Sequence, residues 1–349
     1  FLKIISNKTP LKDMWTGIKK IVSLFLIIGF LISTASAQEA QNNFIIEGIK
    51  MYDKGDYEGA LEMYKKALIS NPASVQAKYE MASAYLQLKD YASAIKFSDK
   101  VIAANKDFVD QAYILKGSAL DYLLKPQEAA NTYRQAIKKF PKNQLLYYNL
   151  ALTSFNLKEY KVTDDALQKS LKLNPLHASS HFLLGLSMVT QGKRVQGMLA
   201  LYNFLLLEPK SKKSASVLET LEEEWKNKTA AAVRKQTDEF YTADLMLDVL
   251  ESSKNNESNK NKPAIVLFAE NTNSFFTILG ESKKDKKDFW WNFYVDYFYK
   301  LAGNHHTEAL CYYITQSKDG SYDEWIKEKD NLKKMEAFSE WYTKYLHKF

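Results

Sequence analysis

Residues 48–72 read GIKMYDKGDYEGALEMYKKALISNP, in which two amphipathic stretches flank the polar turn Lys54-Gly55-Asp56. Apolar residues recur at helical spacing within each half, and this pattern predicts two α-helices joined as a hairpin. The stretch ends at Pro72, and further prolines follow at 141, 175 and 209. These prolines are 69, 34 and 34 residues apart, and 69 is two periods plus one residue. A fixed period of this length is typical of a repeat protein.

Five frames of this period begin at residues 41, 75, 110, 144 and 178. Each frame contains two amphipathic stretches around a short polar turn. The later turns are Lys89-Asp90, Lys125-Pro126, Lys158-Glu159 and Gln191-Gly192-Lys193. Since one hairpin cannot bury its own apolar face, we expect the hairpins to stack on one another.

The repeat resembles the tetratricopeptide repeat (TPR) family. That family has a small residue eighth, alanine twentieth, an aromatic residue twenty-fourth, alanine twenty-seventh and proline thirty-second in each frame. The first frame supplies these as Gly48, Ala60, Tyr64, Ala67 and Pro72. Later frames depart from the pattern at Lys106 in place of proline and at Thr163 and Gly197 in place of alanine. The resemblance covers residues 41–211 and implies an all-α fold, a right-handed superhelix of helical hairpins.

Function in this family resides on the concave face, which the first helix of each hairpin lines. The resemblance therefore implies a partner-binding surface, which we call the predicted face. Its members are Tyr52, Tyr79, Leu86, Tyr148, Leu152, Phe155, Phe182 and Leu186. The lysine, asparagine and arginine set with which some members grip acidic carboxyl termini is missing from the corresponding positions.

The predicted face is apolar, and two interpretations of it stay open. An exposed apolar surface usually marks an interaction site, so it could bind an apolar or amphipathic segment of another protein. Alternatively, the carboxyl-terminal part of the chain could cover it. The first interpretation predicts a scaffold or adaptor whose partner is a protein.

The remaining chain divides by composition. Residues 38–211 hold the five repeats, residues 212–254 continue as helix, and residues 255–262 form a polar linker with no apolar side chain. Residues 263–349 read as an aromatic-rich helical module, and the resemblance to the repeat family does not extend to it.

That module contains the run FWWNFYVDYFY, residues 289–299. A helix that is apolar on all sides is normally buried, so a core helix is one interpretation. The alternative is an exposed platform on which Trp290, Trp291 and Tyr294 stack against sugar rings, a small ligand or a partner's apolar segment. The alternative function is therefore a carbohydrate- or small-ligand-binding protein, and burial of these three residues distinguishes the two interpretations.

The first 37 residues predict a secretory signal peptide, and Met14 is the better candidate for the start of translation. Lys19 and Lys20 precede an apolar run over residues 21–32, and small residues end the segment at Ala37. We expect cleavage after Ala37 and export to the periplasm or outer envelope of a bacterium. An uncleaved anchor is the alternative, and the membrane would then be contacted through this segment alone.

Charge and composition exclude several classes. The full chain of 349 residues has a net charge of +7, but without residues 1–37 it keeps 43 basic and 40 acidic groups, a net charge of +3. With only three arginines, Arg134, Arg194 and Arg234, a nucleic-acid partner is not expected. Glycine and proline, at 12 and 7, are too few for an all-β fold, and one cysteine excludes an internal disulfide.

Groups that could perform chemistry are sparse. The chain has five histidines, and the pair His177 and His181 lacks the glutamate that a metalloprotease motif places beside the first histidine. The single cysteine, Cys311, lies among tyrosines and reads as a buried, inert thiol. We therefore predict a protein that is not an enzyme and has no cofactor and no metal; the sequence does not specify its oligomeric state.

Overall fold

The computed structural model describes residues 39, 41–227, 239–283, 285–318 and 320–346. Within these ranges the chain forms helices joined by turns, and no β-strand occurs among the described residues. The all-α prediction is confirmed. The predicted signal peptide lies outside the described residues. Two compact units make up the chain, an amino-terminal unit up to Thr132 and a carboxyl-terminal unit from Tyr133.

The amino-terminal unit consists of paired helices in which each hairpin packs on the next. Its helices are α1 (41–53), α2 (Tyr57–Ser70), α3 (Val75–Gln87), α4 (Tyr91–Ala104), α5 (Val109–Tyr122) and the first part of α6 (Pro126–Lys139). Side-chain caps start several of them. The Oδ1 atoms of Asp56 and Asp90 accept hydrogen bonds from the amides of Gly59 and Ser93, at 2.9 and 3.0 Å. Polar turn residues thus satisfy amides that a helix start leaves unpaired.

The carboxyl-terminal unit begins with two more hairpins and continues into the aromatic-rich region. Its repeat helices are α7 (Gln144–Asn156), α8 (Tyr160–Leu173), α9 (Ala178–Thr190) and α10 (Arg194–Leu207). They are followed by α11 (Ser214–Lys226), α12 (Tyr241–Ser252), a short 3₁₀ turn (Ser253–Asn255) and α13 (Ala264–Glu281). A π-helical segment (Trp290–Val295) then runs directly into α14 (Asp296–Gly303), and α15 (Thr307–Ile314), α16 (Ser321–Trp325) and α17 (Lys329–Leu346) close the chain.

One turn geometry recurs in six hairpins. In the first, the amide of Gly55 donates to the carbonyl of Tyr52 at 2.9 Å, and the amide of Asp56 donates to the carbonyl of Met51 at 3.0 Å. This pair of bonds is the Schellman motif that ends many helices with a left-handed residue. The left-handed residues of the six turns are Gly55, Lys89, Leu124, Lys158, Gly192 and His305. The hairpin formed by α14 and α15 therefore has the same turn as the five repeats, although it lies about 110 residues beyond the last of them.

Small residues allow the paired helices to approach closely. A β-carbon at Gly185 would lie 2.5 Å from the Cδ2 atom of Leu201, and one at Gly197 would lie 2.7 Å from the Cγ2 atom of Val189. In the first repeat, a β-carbon at Gly48 would lie 2.4 Å from the ring of Tyr64. These distances are too short for any larger side chain without a shift of the neighbour, which explains the small residues at the eighth and twentieth positions.

The core of the carboxyl-terminal unit surrounds α10, which is buried from Arg194 to Leu206. The hydroxyl of Tyr202 lies 2.9 Å from that of Thr272 on α13 and accepts a hydrogen bond from the Nε1 atom of Trp225 on α11, also at 2.9 Å. Phe276 and Phe298 stack at 4.5 Å between ring centroids. Helices from the aromatic-rich region thus bury α10 on the sides that α9 leaves open.

Candidate functional site

In the amino-terminal unit, the predicted face is formed by half-buried side chains on α1 and α3. The Oγ atom of Ser83 donates to the hydroxyl of Tyr52 at 2.9 Å, which joins α3 to α1 across the face. The ring of Tyr79 stacks on that of Phe108 with centroids 4.9 Å apart. Tyr52, Tyr79 and Leu86 are each neither buried nor fully exposed. Their rings are held in place by neighbouring repeats and still present part of their surface.

Glu80, on α3 of the amino-terminal unit, is a candidate site residue that the sequence pattern did not indicate. Burial, with a smaller contribution from the negative charge of Asp53, raises the pKa of the Glu80 carboxyl to about 7. A signal was available in the sequence: no lysine or arginine stands three or four residues away on either side of Glu80. A helical acid without such a neighbour lacks the usual local ion pair.

The carboxyl-terminal unit holds the other five residues of the predicted face. The ring of Tyr148 meets that of His177 edge-on at 4.8 Å, and that of Phe182 packs against Phe204 at 5.4 Å. The Nζ atom of Lys213 lies 5.0 Å from the centroid of the Phe182 ring. Leu152 keeps 39% of its surface exposed.

Phe155 and Leu186 are half-buried, and the ring of Phe155 packs edge-on against Tyr160 at 5.9 Å. Within this unit the five side chains lie on α7 and α9, and each keeps part of its surface exposed. Their partial exposure gives a face that can bury more apolar area against a partner.

The aromatic-rich module covers a different side of the last repeat. His181 on α9 is fully buried, and its Nδ1 atom lies 2.7 Å from the hydroxyl of Tyr294. Its Nε2 atom lies 2.8 Å from the carbonyl oxygen of Pro175. Phe182 and Leu186, on the neighbouring face of the same helix, keep partial exposure. The module thus packs on α9 and α10 without burying these two residues of the predicted face.

The three residues of the alternative stacking platform are buried. Trp290, Trp291 and Tyr294 retain 8%, 1% and 0% of their surface. The ring of Trp291 stacks on that of Phe240 at 4.7 Å, and its Nε1 atom donates to the Oε2 atom of Glu239 at 2.8 Å. The hydroxyl of Tyr294 is hydrogen-bonded to His181. Because packing inside the unit uses both the rings and these two polar groups, the platform has no exposed ring face for a sugar.

Groups with potential chemistry are enclosed as well. Among the residues that the structure describes, no three histidine, cysteine or acidic side chains converge as a metal site. Burial raises the pKa of the Cys311 thiol to about 12, which keeps it protonated and unreactive at neutral pH. Burial also lowers the pKa of His181 to about 4, so its imidazole is neutral at pH 7. No helix in the described ranges is long and apolar enough to traverse a bilayer.

Comparison with known families agrees with the repeat register. Two sequence models of the tetratricopeptide repeat match this chain, over residues 51–118 and 114–162. Residues 51–162 are therefore tetratricopeptide repeats.

Individual relatives share only part of their length with the chain. RNA polymerase II-associated protein 3 of Mus musculus is 31% identical over 113 residues, which cover 31% of this chain and 17% of that protein. The Hsp70-Hsp90 organising protein of Plasmodium falciparum is 28% identical over 99 residues, which cover 28% of this chain and 39% of that protein. The chain thus spans less than half the length of these curated relatives. Among solved structures, the MamA protein aligns with 51% of this chain and 96% of its own, at 24% identity and a TM-score of 0.42.

Proposed function

We propose that this chain is a non-enzymatic adaptor that binds an apolar or amphipathic segment of a partner protein on the predicted face. The observation that carries the proposal is that, within each of the two units, the first helices of the repeats present partly exposed aromatic and aliphatic side chains. Repeat helices of this kind hold such side chains on a rigid support, which lowers the entropy cost of binding. The relative from Plasmodium falciparum is named as an organiser of Hsp70 and Hsp90, a role consistent with an adaptor.

We further propose that the adaptor acts in the bacterial envelope. This part of the proposal rests on the charged, apolar and small-residue order of residues 1–37. Amino-terminal sequencing of the protein recovered from an envelope fraction tests it: Gln38 as the first residue supports export with cleavage, whereas recovery of the uncleaved protein from the cytosol contradicts it.

Replacing the aromatic anchors of the predicted face should abolish most of the binding. We expect a chain with Tyr148→Ser, Phe155→Ser and Phe182→Ser to bind its partner at least about tenfold more weakly, because loss of one aromatic anchor commonly costs about 2 kcal/mol. The measurement is quantitative capture from solubilised envelope, followed by titration of the partner identified.

A matched control distinguishes binding to this surface from nonspecific binding to exposed apolar side chains. Ile69, Leu124 and Val249 are 81%, 87% and 63% exposed and lie off the predicted face. Changing these three to serine removes as many exposed apolar side chains, yet capture should be unchanged. Circular dichroism must first show equal helicity in both variants. Retention of the partner by the face variant would place recognition elsewhere and end the proposal.

A further inference from the structure

Glu80 is a half-buried carboxyl group without a partner among the described residues. It makes neither a hydrogen bond nor an ion pair with any residue that the structure describes, and the same holds for the exposed Asp53 nearby. An ionised carboxylate that is partly removed from water is costly unless a positive charge or a hydrogen-bond donor compensates it. The position is therefore electrostatically incomplete in the protein alone.

The ionisable groups that couple electrostatically to Glu80 are phenolic or acidic. Electrostatic coupling links Glu80 with Asp53 on α1, with Tyr64 on α2 and with the adjacent Tyr79, and Tyr79 and Tyr64 both couple to Tyr52. Asp110 on α5 couples to Tyr79 as well. No positively charged group is among them. The corresponding positions of the first three repeats contain no lysine or arginine either; they are Asn42, Ile45, Ile49, Tyr52, Gln76, Tyr79, Ser83, Leu86, Gln111, Ile114, Ser118 and Asp121.

A second unsatisfied group marks the same position. The hydroxyl of Tyr64 is enclosed, in a residue that is 0% exposed, and has no hydrogen-bond partner in the part of the chain that the structure describes. Buried hydroxyls without a partner are uncommon in folded proteins, and each calls for an explanation. The charges of Glu80 and Asp53 both act on this hydroxyl and raise its pKa, so it belongs to the same group of electrostatically coupled side chains.

We infer that Glu80 receives the positively charged side chain of a lysine or arginine in the partner segment that occupies the predicted face. A charge-assisted hydrogen bond to the carboxylate would satisfy Glu80. The half-exposed ring of Tyr52 and the face of Tyr79 that is turned away from Phe108 would add cation–π attraction to the same group. The inference rests on the proposed function and specifies the chemistry of the partner: an apolar segment with one basic residue, which meets the Glu80 carboxylate beside Tyr52 and Tyr79 in the amino-terminal unit.

The first experiment selects binders from a random library of 12-residue peptides displayed on phage, with the full chain as bait. Parallel selections use Glu80→Gln, which keeps the shape and removes the charge, and Glu62→Gln as a matched control. Glu62 is an exposed glutamate on α2 that pairs with Lys65 at 2.6 Å. We expect lysine or arginine to be enriched at one position with the wild-type chain and with Glu62→Gln, and not with Glu80→Gln.

The second experiment measures one selected peptide in synthetic form, with its basic residue retained or replaced by norleucine. For the wild-type chain we expect the basic peptide to bind about tenfold more tightly at pH 8 than at pH 6. The reason is that a carboxyl with a pKa of about 7 is about one-tenth ionised at pH 6 and about nine-tenths ionised at pH 8. The norleucine peptide, and the Glu80→Gln chain with either peptide, should show no such change.

Each outcome decides the inference. Loss of the basic preference in Glu80→Gln, together with loss of the pH dependence, supports it. Binders without a basic residue, binders enriched in acidic residues, or a basic preference that survives in Glu80→Gln would overturn it and leave peptide binding itself intact. If the wild-type chain selects no peptide at all, both the inference and the proposed function fail.

Discussion

Replacing Arg194 with methionine should lower the free energy of unfolding of the carboxyl-terminal unit by about 3–5 kcal/mol. Arg194 is the first residue of α10 and is 1% exposed. Its Nη1 atom lies 2.8 Å from Asp248 and 3.3 Å from Asp244, both on α12. When the buried cation is removed and these carboxylates stay in place, their negative charge is left without a counter-charge in a poorly solvated position.

The same guanidinium also caps α11. Its Nη2 atom donates to the carbonyl of Trp225 at 2.8 Å, and its Nε atom donates to the carbonyl of Glu224. These carbonyls belong to the last turn of α11, where no further helical amide can reach them. One side chain therefore joins the start of α10, the end of α11 and two turns of α12. Methionine would keep an unbranched apolar stem and lose every one of these bonds.

Urea unfolding followed by circular dichroism and tryptophan fluorescence measures the effect. Arg134→Met is the matched control, because Arg134 pairs with Glu159 at 3.1 Å with both side chains about 40% exposed, and such surface pairs contribute about 0–1 kcal/mol. The double variant Arg194→Met with Asp244→Leu should recover part of the loss, since it also removes one stranded carboxylate. Equal effects of the two arginine variants would show that the buried network does not stabilise the unit.

Arg194 also illustrates what the sequence could and could not predict. Proline spacing, turn composition and small residues at fixed positions predicted the repeats, because those features act within about 34 residues of one another. The role of Arg194 depends on Asp244 and Asp248, which lie 50 and 54 residues further along. The small number of arginines argues against nucleic-acid binding, but it gives no sign that one of the three, Arg194, holds three helices together.

The candidate site shows the same division between local and distant information. The repeat register placed Tyr79, Tyr148 and Phe182 on half-exposed helix surfaces, because it follows from local periodicity. The missing basic neighbours of Glu80 were visible in the sequence, but its burial and its coupling to Asp53 and Tyr64 depend on the preceding repeat. For the run FWWNFYVDYFY, composition favoured a buried helix, but periodicity at 3.6 residues could not indicate the π-helical segment at Trp290–Val295. That segment orients Tyr294 toward a histidine 113 residues earlier.

Acid should loosen the contact between His181 and Tyr294. The Nε2 atom faces a carbonyl oxygen, which can only accept, so Nε2 bears the proton of the neutral ring and Nδ1 accepts from the Tyr294 hydroxyl. Burial lowers the pKa of His181 to about 4 from an ordinary value of 6.5. Between these two pH values the unfolded chain binds a proton that the folded protein excludes, so stability falls as the pH falls.

The contribution of His181 is fully present above pH 6.5 and should decrease by about 3 kcal/mol as the pH falls from 6.5 to about 4. Several carboxyl groups, among them Glu224 and Glu239, have raised pKa values through burial and shift stability in the opposite direction. The useful quantity is therefore the difference between the wild-type chain and His181→Gln, each unfolded in urea at pH 4.5, 5.5, 6.5 and 7.5.

We expect this difference to be largest at pH 7.5 and to shrink steadily toward pH 4.5, because glutamine keeps a donor for Pro175 and has no proton to take up. Tyr294→Phe separates the hydrogen bond from the titration. It should cost about 1 kcal/mol at every pH, and its pH profile should parallel that of the wild-type chain, since burial is the largest cause of the lowered pKa. A constant difference between His181→Gln and the wild-type chain over this range would mean that His181 is not the group whose protonation weakens the packing of the aromatic-rich module on α9.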